Sequence, residues 1–139
     1  LRLMAGKIII FDTSIFIDHL RTNKFSNNLQ NLNGIIRNSA IVLSELARGA
    51  TKEVERGFVS ALAKNYPILT PTEKNWLESG EILSKIYKDK GFSPEKLRDL
   101  HFDVLIALTA RNYGATVITS NRMDFELIKA YRGFNIEIW

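Results

Sequence analysis

Cysteine is absent from the 139 residues, which excludes disulfides, thiolate-bound zinc and thiol catalysis and suits a reducing compartment. Histidine is nearly absent too: His19 and His101 are the two present, and neither belongs to an HExxH pattern or a Cys/His cluster. Any metal bound here is therefore expected on oxygen. Proline occurs three times and glycine eight, and no repeat, low-complexity tract or linker stands out. No apolar run approaches the ~20 residues of a membrane span, and no secretory signal is expected before the first strand. A cytoplasmic protein with no membrane partner is the expectation. Met4 is a candidate natural start, with residues 1–3 then not native.

What is present is ordinary in bulk. Hydrophobic residues make up 45% and charged residues 24%, so a single globular domain over 1–139 is expected. The formal charge is +4. If four of the fifteen acids are withdrawn into a site, 19 basic side chains face 11 acidic ones. That balance favours a polyanionic partner.

The patterning alternates strands and helices. KIIIF (7–11) is short, β-branched and apolar, as a buried strand is, and Thr13 or Ser14 can cap the helix after it. A short helix is expected over 25–32, ended by Gly34, then a strand over 39–43 and a long helix over 45–64 capped by Ser44. Residues 66–70 read as an edge strand, because it holds Pro67. Thr72-Glu73 starts the next helix and Gly91 ends it. Ser93-Pro94-Glu95 starts a turn running through Leu100, ahead of an apolar helix over 103–112. A strand over 116–119, a helix over 124–131 and a last strand over 134–139 follow. This order predicts a three-layer α/β domain around a mostly parallel sheet.

Four acids recur beside these strand-like runs. Asp12 ends IIIFD, Glu45 follows AIVLS, Asp103 opens DVLIALTA, and Asp124 closes TSNRMD. Taken singly, each has a structural reading: a turn residue for Asp12, helix-dipole partners for Glu45 and Asp103, an N-cap for Asp124. Together they predict one crevice at the carboxyl ends of parallel strands. Like charges gathered there need a cation, and Mg²⁺ or Mn²⁺ suits an oxygen-only set. A metal-dependent phosphodiester site is the chemistry this pattern points to. Arg48, three residues after Glu45, and Arg122, in the loop before Asp124, are candidates for holding phosphate or for pairing with the acids themselves. Asp99 and His101 are read as structural. Phe16, Leu20, Phe25 and Trp76 are expected in the core.

IIIFDTS, IVLSELARGA, DVLIALTAR and VITSNRMDF, in that order and spacing, are similar to the motifs of PIN-domain nucleases, most closely VapC-type toxins of toxin–antitoxin pairs. The resemblance spans essentially the whole chain. It implies an endoribonuclease whose acidic set is Asp12, Glu45, Asp103 and Asp124, with Thr13 or Ser14 and Asn121 as polar supports. It also implies in-line attack by water that leaves a 5′-phosphate, a small antitoxin protein as partner, and homodimers. The chain departs from the family in one place: Ser14 stands where Asn is frequent. A haloacid-dehalogenase phosphatase would need a second Asp two residues after Asp12, and that residue is Ser14. The competing expectations are a stand-alone RNA-processing nuclease of this family and a non-catalytic PIN-like binding module, which would have lost an acid.

Overall fold

Three isoleucines in a row, Ile8 to Ile10, favour the pleated conformation, and they form β1 (Ile8–Phe11) at the centre of the sheet. The structure is a computed structural model and describes residues 6–139; the expectation about residues 1–3 lies outside them. Next come α1 (Thr13–Thr22), α2 (Ser26–Gln30), β2 (Ile35–Ile36) and β3 (Asn38–Ser39), then α3 (Ala40–Gly49), α4 (Glu53–Asn65) and β4 (Ile68–Leu69). The chain continues with α5 (Glu73–Lys90), α6 (Pro94–Tyr113), β5 (Thr116–Thr119), α7 (Arg122–Tyr131) and β6 (Asn135–Ile138). No described helix is long and apolar enough to cross a membrane.

The strand order is β2-β1-β5-β6, with β3 and β4 paired beside it, and every pairing among the described residues is parallel. The stretch from Ile35 to Ser39 changes partner midway. Ile35 and Ile36 pair with β1, after which Asn38 and Ser39 pair with β4. β4 holds one edge, next to Pro67, as a strand bordered by proline should. Because β1 has β2 on one side and β5 on the other, the chain reverses its direction of winding there. Open α/β sheets form their crevice at such a point, here at the carboxyl ends of β1 and β5.

Alternation along β1 sends Ile10 to one face of the sheet and Ile9 and Phe11 to the other. On the first face Ile10 and Val117 pack against α6, whose residues 104–110 are all buried, with Ile82 and Ile86 of α5 behind them. A helix apolar on all sides needs cover on all sides, and α6 has the sheet in front and α5 behind. On the second face Ile9, Phe11 and Ile118 meet Ile15, Phe25 and Trp139. The three-layer α/β architecture is the one expected.

Several boundaries differ. Residues 40–43 are helical, because the Ser39 side chain accepts from the Val42 amide and starts α3 there. A short run of apolar residues carries no reliable period, and burial of Ile41 and Val42 on one helical face decides it. The helix over 45–64 is two helices, broken after Gly49. The turn and the helix of 94–112 are one helix, α6, capped by the Ser93 side chain and ended by Gly114 at φ 63°. Consequently Glu45 and Asp103 lie midway along helices rather than in first turns. Leu20 and Trp76, expected in the core, are 59% and 49% exposed, whereas Phe25 is buried.

Candidate active site

Asp12 follows β1 directly, and its amide donates to Ile118 O at 2.9 Å, carrying the β1–β5 ladder to the crevice floor. It occupies the N-cap position of α1, yet its side chain makes no capping hydrogen bond. Instead Oδ2 accepts from Ser14 Oγ at 2.7 Å and from Thr119 Oγ1 at 2.8 Å. Burial pushes the Asp12 carboxyl up, against the pull of these two hydroxyls and of the nearby amides of Thr13 and Ser14. One of these hydroxyls lies on α1 and the other on β5, so the Asp12 carboxylate ties the helix start to the neighbouring strand.

Thr13 Oγ1 donates to Glu45 Oε1 at 2.8 Å, so the first turn of α1 anchors a carboxylate carried by α3. Glu45 is raised by burial first, and then by the charges of Asp12 and Asp99, with the Thr13 bond and Arg48 opposing. Asp103, on α6, is pushed up to about 9 by burial and by the charges of Asp12, Glu45 and Asp124, with Lys96 opposing. No hydrogen bond offsets that rise. Asp124 sits in the first turn of α7, where Asn121 Nδ2 donates to Oδ2 at 3.1 Å and Asn121 Oδ1 caps the Asp124 amide. Four elements thus bring Asp12, Glu45, Asp103 and Asp124 within electrostatic reach of one another. Among the described residues no three acid or histidine side chains are drawn together closely enough to ligate one ion as they stand.

Of the polar supports, Thr13 and Ser14 are both at the site, one on each carboxylate, and Asn121 holds Asp124. Arg48 is exposed, makes no ion pair among the described residues, and lies 6.0 Å from the centre of the Phe102 ring. Arg122 pairs with Glu126 at 2.8 Å along the outside of α7, away from the acids. Asp99 is exposed, and His101 meets Ser79 Oγ at 3.0 Å and the edge of Trp76 instead of a carboxylate.

Two residues at the site were not singled out from the sequence. Thr119 is fully buried; it donates to Asp12 and accepts from the Asn121 amide at 2.9 Å. Its place depends on the β1–β5 register, which local patterning does not reveal. Lys96 pairs with Asp124 at 2.7 Å. It precedes Asp103 by two helical turns on one face of α6, a signal that was hidden by splitting α6 at residue 103.

A parallel sheet with acids converging at its switch point defines an α/β protein with an acidic site. The sequence matches the PIN domain family over residues 9–130, and the chain belongs to that family. Its fold is similar to that of VapBC2 from Rickettsia felis, solved bound to a promoter DNA fragment, with TM-score 0.70 and 26% identity over 95% of this chain and 98% of that one. VapBC-1 from nontypeable Haemophilus influenzae gives TM-score 0.70 and 23% identity over the same shares. A toxin–antitoxin complex from Klebsiella pneumoniae gives 0.59 and 21%, covering 84% and 89%. The last two, at such identity, speak to the fold alone. No curated protein matches the chain. The resemblance to VapC-type PIN proteins carried by the four motifs agrees with these likenesses.

Proposed function

We propose that the chain is a divalent-metal-dependent endoribonuclease that hydrolyses RNA phosphodiester bonds, and that it is the toxin of a toxin–antitoxin pair. One observation carries the catalytic part: a carboxyl group, Asp103, held among three others and raised to about 9 by burial and their charges. Such a set is stable when ionised only with a cation present. The donors suit Mg²⁺ or Mn²⁺, being carboxylates and hydroxyls with no sulfur. When bound, the ion would screen the phosphate and lower the pKa of the attacking water.

The chain's own residues divide the remaining work. Asp12 and Asp103 would hold the ion directly, with Asp12 fixed by Ser14 and Thr119. Glu45, steadied by Thr13, would reach it through water or a second ion. Asp124, oriented by Asn121, would position the attacking water on the phosphate's far side. Arg48, which is exposed, would meet a phosphate of the strand. Nothing in this scheme needs a 2′-hydroxyl, so a preference for RNA would come from groove shape.

An apolar cleft supports the antitoxin. It lies between α1, α3 and α4, and Phe11, Phe16, Leu20, Phe58, Leu62 and Tyr66 help line it. Such a cleft fits the apolar face of a partner helix. On this reading the protein acts in the cytoplasm.

Incubating the purified chain with structured RNA tests the reading. Cleavage in Mg²⁺ or Mn²⁺, products with 5′-phosphate ends and none in chelator are expected. Cleavage that survives chelation would end the metal mechanism. A small reading frame directly upstream, whose product copurifies and silences the activity, is expected for a toxin; harmless overexpression of an active chain would leave a stand-alone nuclease.

A further inference from the structure

Asp124 differs from the other three carboxylates at the site. Both of its oxygens are engaged: Lys96 Nζ donates to Oδ1 at 2.7 Å and Asn121 Nδ2 to Oδ2 at 3.1 Å. Among the described residues, side chains bond Asp12 at Oδ2, Glu45 at Oε1, and Asp103 at neither oxygen. The ion pair is also sheltered, with the Asp124 side chain 14% exposed and that of Lys96 36%. Lys96 does not arrive by chance from a loop. It is fixed on α6, on the face that carries Asp103, and its charge acts on Asp103 as well as on Asp124.

We propose that Lys96 is a built-in cation of the acidic site: its ammonium neutralises Asp124, keeps that carboxylate from direct ligation, and leaves a divalent ion to the remaining carboxylates. This rests on the metal-dependent reading above. A second ion at Asp124 would have to displace the ammonium, losing a charge-assisted hydrogen bond in a partly dry site. Otherwise it would sit beside a like charge within a few ångströms. Either cost opposes it. Lys96 is then a positioning residue. With Asn121 it holds Asp124 in one orientation, so that this carboxylate would meet water rather than the divalent ion.

Metal binding, measured without reference to activity, tests this. Metal-stripped full-length protein is titrated with Mn²⁺, following heat and the signal of free Mn²⁺, for wild type, Lys96→Met, Lys96→Arg, Asp124→Asn and Asp103→Asn. Wild type should take one ion. Asp124→Asn should still take one, and Lys96→Arg should match wild type, since the charge is kept. Lys96→Met should take a second ion, or bind the first roughly tenfold more tightly once the nearby positive charge is gone. Circular dichroism of each variant confirms that it is folded, and Lys96 is half exposed, so its loss should not disturb the core. Two ions on wild type, loss of the ion in Asp124→Asn, or unchanged binding by Lys96→Met would each overturn the role of Lys96. If wild type takes up no Mn²⁺ at all, the metal-dependent reading falls, and this inference with it. If wild type binds one ion that Asp103→Asn abolishes while Lys96→Met stays unchanged, the role of Lys96 alone is refuted.

Discussion

Substituting Asp103 by Asn removes a charge that the folded chain holds at a cost. The carboxyl has an ordinary value of 3.8 and a value of about 9 in the fold. Between these two the folded protein keeps a proton that the unfolded chain gives up, so stability of the metal-free protein falls as pH rises through that window. Asp12 and Glu45, also raised, act with the same sign. At about 1.4 kcal/mol per pKa unit, the cost at pH 7 is at most about 4 kcal/mol. Neighbouring carboxylates relax when Asp103 is neutralised, and the half-buried side chain keeps some water. The expected gain for Asp103→Asn is therefore about 1–2 kcal/mol, or roughly 3–8 °C in Tm for a chain of this size. Thermal melts in chelator at pH 5, 6, 7 and 8 should show wild type losing stability across the series and Asp103→Asn losing less. A variant that melts below wild type at pH 7, with the same pH slope, would refute the reasoning and make Asp103 a structural acid.

Thr119→Val keeps shape but leaves buried Asp12 with one hydroxyl donor, and should cost about 1–3 kcal/mol in urea denaturation at pH 7. Unchanged stability would mean that the bond is dispensable. Ser39→Ala removes the cap that starts α3 and so positions Glu45; a loss of about 0.5–2 kcal/mol is expected, and no loss would show the helix start to be fixed elsewhere. Arg48→Ala should shift stability by no more than about 0.5 kcal/mol while weakening RNA retention on a filter, as the side chain is exposed. Unfolding of that variant would identify Arg48 as a strut.

The parts of the fold legible in the sequence are those where local chemistry is decisive. Ser93-Pro94 and Gly114, Thr72 and Gly91, and the β-branched runs at 8–11 and 116–119 mark their elements because caps, left-handed turns and buried strands are set by adjacent residues. Local pattern does not settle the stretch from 35 to 43, because its structure depends on distant partners. Ile35 and Ile36 are strand only against β1, and Ala40 onward is helix because Ile41 and Val42 find the core on one side. The acids stand out for a different reason: charge is unusual against apolar runs, whether the strand before Asp12 or the helices that carry Glu45 and Asp103. Thr119 does not, since a threonine ending a strand is common and only the parallel register sets it against Asp12. Lys96 was lost through a single wrong helix boundary.

On the proposed reading these carboxylates form the metal site. Thermal melts of wild type and Asp12→Asn, in chelator and in Mn²⁺, test it most directly, with Asp12→Ala beside them because Asn can itself cap a helix. In chelator Asp12→Asn should equal or exceed wild type. Mn²⁺ at a hundredfold excess over its dissociation constant should stabilise wild type by about 2.7 kcal/mol and the Asp12 variants far less. Identical responses to Mn²⁺ in all three proteins would contradict the account.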